Sequence, residues 1–111
     1  MNFPETIKIG GRDYRVEFPH VFTDAQRPLY GLHDSGGQTI KISQKDEFGV
    51  DRHPQSILQT YFHEIFHAID NVYNGGRLTA WENGEETIDQ IAEGWLQFLR
   101  ENEVDLGRGE P

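Results

Sequence analysis

Residues 54–74 read Pro-Gln-Ser-Ile-Leu-Gln-Thr-Tyr-Phe-His-Glu-Ile-Phe-His-Ala-Ile-Asp-Asn-Val-Tyr-Asn, and the spacing of their apolar side chains is helical. Turning about 100° per residue from His63, the apolar positions Ile57, Leu58, Tyr61, Phe62, Ile65, Phe66, Ala68, Ile69, Val72 and Tyr73 fill an arc from about 120° to 300°. Pro54 suits the first helical position, and Asn74-Gly75-Gly76 supplies a stop. One helix is therefore expected over 53–75, with the apolar arc, Tyr61 and Tyr73 included, on a core. His63 and His67 fall on the opposite face among Ser56, Gln59, Thr60, Asp70 and Asn74. A plain solvated face would have the same composition.

Upstream, the period changes from helical to alternating. Thr6 to Phe18 alternates on both sides of Gly10-Gly11, a hairpin signal because glycine accepts the positive φ of a tight turn. Ile7 and Ile9 are expected across from Tyr14, Val16 and Phe18. Residues 20–29 have no clear period and are read as a loop or short helical turn. A second hairpin is expected from Tyr30-Gly31-Leu32-His33, a turn at 34–37, and Gln38 to Ser43, with Ile40 and Ile42 on one face. Residues 44–53 form a polar connection.

Downstream, Asn83-Gly84-Glu85-Glu86 looks like a helix cap with a glutamate three residues on. A second helix is expected over 84–101, with Trp95 in its apolar stripe, and a frayed polar tail over 102–111. Trp81 is also assigned to the core. Strands gathered in 1–52 and helices after them argue for a single α+β domain, a small, mostly antiparallel sheet from two hairpins packed with two helices.

Composition narrows the function. The chain has 111 residues and a net charge of −9, which repels nucleic acid and anionic lipid. Residues 81–111 carry nine acids against Arg100 and Arg108, so most of the negative charge sits there. Without cysteine there is no thiolate site, and any metal must be held by His, Asp or Glu. Met1-Asn2-Phe3-Pro4-Glu5 has neither the basic nor the apolar part of a secretion signal, so a soluble, cytoplasmic protein is expected.

His63-Glu64-Ile65-Phe66-His67 matches H-E-x-x-H. Two histidines four apart on a helix lie one turn from each other, so both rings reach one ion. With this composition the pattern arises by chance roughly 0.02 times per chain, so its occurrence on a helix is informative. Zn²⁺ suits such donors, and a catalytic site keeps three protein ligands with an open position for water. Glu64 is placed to take a proton from that water. The third ligand is sought at the acidic start of the second helix. Glu85 borders its apolar stripe and is favoured, Glu86 points toward solvent and is the alternative, and Asp89 one turn on can accept a hydrogen bond from a ligand imidazole. Alone, any of these acids would be explained by the positive end of the helix dipole. His20, His33 and His53 sit in or near loops, where a histidine is most simply a surface residue, though each is a candidate to steady an oxyanion.

The segments His63 to Asp70 and Glu85 to Ala92 together resemble the compact gluzincin-type zinc metallopeptidases, in particular the small, often phage- or prophage-borne ImmA/IrrE-like metallo-endopeptidases. The hairpin over 30–42 is similar too, so the likeness spans about residues 30–100. The resemblance implies a minimal zincin-like arrangement, a zinc site of two histidines and a glutamate, and Glu64 as general base. The Glu85 to Asp89 spacing matches the family's glutamate and following aspartate. The sequence departs from larger relatives in carrying no DNA-binding segment and no His or Tyr at a transferable oxyanion-stabilising position.

The function expected is zinc-dependent hydrolysis of peptide bonds in a peptide or protein substrate, held extended on an edge strand such as 38–43. The rival is a non-catalytic, phage-type interaction protein with a structural or vestigial metal site and an acidic helix for a basic partner.

Overall fold

Four short strands arise where apolar and polar residues alternate, in a computed structural model that describes residues 2–23 and 30–102. Strands β1 (Thr6–Ile9) and β2 (Arg12–Glu17) form the first hairpin, with Ile7 opposite Tyr14. Strands β3 (Gly31–Asp34) and β4 (Thr39–Ile42) form the second, with His33 opposite Ile40. The hairpins join through β2 and β4, which run parallel with Val16 beside Ile40, so the order is β1-β2-β4-β3. The sheet is mixed, with two of its three pairings antiparallel.

This order corrects one expectation. β4 is internal, and the edges are β1 and β3. Ile40 and Ile42 are wholly buried, so β4 gains most from neighbours on both sides, whereas exposed Leu32 and Asp34 suit β3 to an edge.

The register places Ile7, Ile9, Tyr14, Val16, Gly31, His33, Ile40 and Ile42 on one face. Helix α1 (Pro54–Asn74) lies across it, adding Ile57 and Ala68 to the core, with Tyr61, Ile65 and Val72 at its margin. Each large side chain buried here contributes about 1.5–3 kcal/mol, making this layer the main source of stability. His53 caps α1, its Nδ1 accepting the Gln55 N–H at 3.0 Å. Gly75, left-handed at φ 63°, closes the other end, its N–H donating to the Asp70 carbonyl.

Among the described residues helix α2 (Gly84–Asn102) packs on α1 and on no strand, burying Ile88, Ala92 and Leu96. The layers are therefore sheet, α1, α2. With one neighbour α2 buries a narrow stripe, so Trp95, expected inside, is 38% exposed beside Ile91 and Phe98. Trp81, in the turn between helices, and Tyr73, in the last turn of α1, are 65% and 72% exposed and are likewise not core. The expected tail beyond Asn102 and residues 24–29 lie outside the described residues. Among the described residues no helix is long and apolar enough to cross a membrane.

Arg52 ties the connection to this frame. Its guanidinium lies 4.5 Å from the centre of the Tyr30 ring and donates to the carbonyls of Tyr30, Ser43 and Ser56 and to Thr60 Oγ1.

Candidate metal centre

The middle of the polar face of α1 is covered, by β3, by the turn at Leu78 and Thr79 and by the start of α2, while Ser56 and Asn74 at its ends are exposed. Thr60, Glu64, His67 and Asp70 are all buried. Helical spacing brings His63 Nε2 within 3.2 Å of His67 Nε2. Glu85, from the first turn of α2, puts Oε1 at 2.6 Å from His63 Nε2 and Oε2 at 2.8 Å from His67 Nε2. Glu85 is brought there by a tight joint. A Cβ on Gly84 would lie 2.0 Å from the Leu78 carbonyl oxygen, so only glycine lets α2 begin this close to the preceding turn.

The far nitrogens are held as well. His63 Nδ1 lies 3.1 Å from Asp89 Oδ1, which also accepts from Gln59 Nε2 at 2.7 Å. His67 Nδ1 lies 3.0 Å from Thr79 Oγ1. With protons on both Nδ1 atoms, two imidazole lone pairs and a carboxylate face one point, an arrangement that repels unless a positive charge lies between them. Donors around a tetrahedral ion with bonds of about 2.0 Å stand roughly 3.3 Å apart, close to the spacing of the two rings, while the Glu85 oxygens stand nearer, at hydrogen-bond distance, and would move outward to admit an ion. His63, His67 and Glu85 can thus hold a divalent metal ion, and two imidazoles with a carboxylate are a donor set that Zn²⁺ accepts.

Glu64 stands beside this point, its Oε2 4.0 Å from His63 Nε2. Burial pushes its pKa up to about 7, with Glu85 adding to the rise, while His63 and a hydrogen bond from the His33 backbone N–H oppose it. Edge strand β3 presses on this side chain. A Cβ at Gly31 would meet Thr60 Cγ2 at 2.5 Å and Glu64 Cγ and Oε2 at 3.0 Å.

Of the acids expected near the site, Glu85 joins the histidines, Asp89 bonds His63, and Glu86 is exposed and lies outside the group. Among the other histidines, His20 pairs with Glu17 at 3.4 Å and His53 caps α1. His33 lies on β3 with Nε2 3.3 Å from the Tyr14 hydroxyl, and burial, aided by His67, lowers its pKa.

Asp70 and Thr79 have roles that the sequence reading missed. Asp70 accepts from Asn74 Nδ2, the Leu78 N–H, the Thr79 N–H and Thr79 Oγ1, at 2.8, 3.1, 2.7 and 2.7 Å. Burial alone would raise its pKa, but the hydrogen bonds from Thr79, Asn74 and Leu78 outweigh this and hold it at about 2. A polar residue three places after the second histidine carries no signal that a turn nine residues on will fold back to it. Beyond Asp89, a groove of about 870 Å³ runs between α1 and α2 to Tyr30 and Arg52, its lining including Asp46, Asp51 and Glu93. No protein-family model, curated protein or solved structure matches this chain.

Proposed function

We propose that the chain is a zinc-dependent peptidase in which His63, His67 and Glu85 hold the ion and Glu64 is the general base and acid. The observation that carries this reading is the meeting of three donor groups at one point beside the buried carboxyl of Glu64. When bound, the ion supplies Lewis-acid chemistry, acidifying water and polarising a substrate carbonyl. Glu64, its carboxyl buried beside the three donors, takes a proton from the attacking water and passes it to the departing amine. The His33 N–H holds the Glu64 carboxylate in place, and the buried Thr60 and the close approach of Gly31 keep water from crowding it. Among the described residues the outer side of β3 has no strand partner, and it is suited to receive an extended peptide. The acidic groove and net charge of −9 favour neutral or basic substrates.

The test is metal content and turnover together. Protein purified without chelators should carry about one zinc per chain, and Glu64→Gln should keep the metal while losing hydrolysis of an unfolded protein such as casein. Absence of metal, or undiminished hydrolysis by the variant, would overturn the assignment. The exposed Ile91, Trp95 and Phe98 on α2 favour a second reading, a non-catalytic interaction protein whose metal is structural. Unfolding on chelation with no cleavage would support that reading, and chelator-sensitive cleavage by a protein that stays folded would exclude it.

A further inference from the structure

Thr79 belongs to the turn between the helices, yet its hydroxyl lies between a buried carboxylate and a candidate ligand. A hydroxyl has one hydrogen to give. Asp70 is ionised and accepts only, and its Oδ2 lies 2.7 Å from Thr79 Oγ1, so the hydroxyl hydrogen goes there. What Thr79 offers His67 Nδ1 at 3.0 Å is therefore a lone pair, and the ring nitrogen must be the donor. A neutral imidazole that donates from Nδ1 carries its free lone pair on Nε2, the atom 2.8 Å from Glu85 Oε2 and 3.2 Å from His63 Nε2.

We propose that Asp70, acting through the Thr79 hydroxyl, is the positioning device that fixes His67 in the Nδ1-protonated tautomer and turns Nε2 toward the metal. The proposal rests on the reading of His67 as a ligand. Thr79 is well suited to the task because the same Asp70 oxygen also accepts its backbone N–H at 2.7 Å, so main chain and hydroxyl are gripped together. Asp70 is itself immobilised through its other oxygen by Asn74 and the Leu78 N–H. The two histidines are thus supported differently: His63 directly by the exposed Asp89, His67 through Thr79 from the buried Asp70.

A merely structural Asp70 would close the turn and leave the ring indifferent to the Thr79 hydroxyl. Thr79→Val separates the two roles, since it keeps the backbone bond to Asp70 and removes only the relay. Imidazole ¹⁵N shifts in the metal-free protein report the tautomer, and competition with a chelating dye reports zinc affinity. In wild type His67 should be protonated at Nδ1. In Thr79→Val the proton should redistribute toward Nε2 and zinc affinity fall about 10- to 100-fold. Thr79→Ser should restore both, while circular dichroism stays unchanged in all three. An unaltered tautomer and unaltered zinc affinity in Thr79→Val would overturn the proposal. A tautomer that still follows Thr79 in a wild-type protein that takes up no zinc would overturn the metal reading and leave the relay standing.

Discussion

Replacing Gly31 with alanine puts a methyl group where β3 crosses α1. The new carbon would stand 2.5 Å from Thr60 Cγ2 and 3.0 Å from Glu64 Cγ and Oε2, against about 3.5–4.0 Å for ordinary contact between carbons. To relieve this, β3 must retreat by about 1 Å, taking the His33 N–H away from the Glu64 carboxylate. Overpacking of this kind costs about 1–3 kcal/mol, a fall in Tm of roughly 5–15 °C for a domain of this size. A displacement of about 1 Å at a reacting group costs on the order of 100-fold in rate. Zinc content should not change, because His63, His67 and Glu85 all belong to the helices. Thermal unfolding, metal analysis and peptide hydrolysis on one preparation read all three quantities. Unchanged Tm and turnover would mean that the strand does not hold the carboxyl, and loss of metal along with activity would mean that it supports the ligands instead.

Two further outcomes follow from the same geometry. In chelator-treated protein the folded-state pKa of Glu64 is raised above its unfolded value, so the folded state holds the proton more tightly and stability falls as pH rises from about 4.5 through about 7. Glu64→Gln should flatten that fall and be more stable than wild type above pH 7, by up to about 3 kcal/mol; parallel Tm-against-pH curves would contradict it. Glu85→Gln should lose most of the bound zinc and Glu86→Gln should keep it, with metal analysis after gel filtration as the check, and the reverse result would exchange the two roles.

What the sequence disclosed is what is local. The four-residue spacing of His63 and His67 needs only helix geometry to become a shared point, and the Ile7 to Tyr14 pairing needs only a tight turn. The parallel junction of β2 and β4 was not legible, because residues 20–29 have no period from which a register could be read. A helical wheel shows which side chains share a face but not what covers that face. Thr60 and Asp70 therefore share a face that a solvated surface would match, until β3 and the turn before α2 are packed on them. The same gap misplaced Trp95, whose apolar neighbours along α2 meet no second surface among the described residues. Glu85 and Asp89 were legible because they repeat at one helical turn, whereas Thr79 meets His67 only through the fold of a turn.

Arg52 gives the Glu64 carboxyl an anchorage that begins well outside the candidate metal centre. Its one guanidinium clasps the backbone just before Gly31 and also the first two turns of the helix that carries Glu64. The entrance of β3 is thereby pinned to α1 by its own end, whatever length of chain leads into it. Lengthening or shortening the segment ahead of Tyr30 should leave the carboxyl's alignment intact, while a lysine at position 52, with no planar fork to span four acceptors, would let the strand drift.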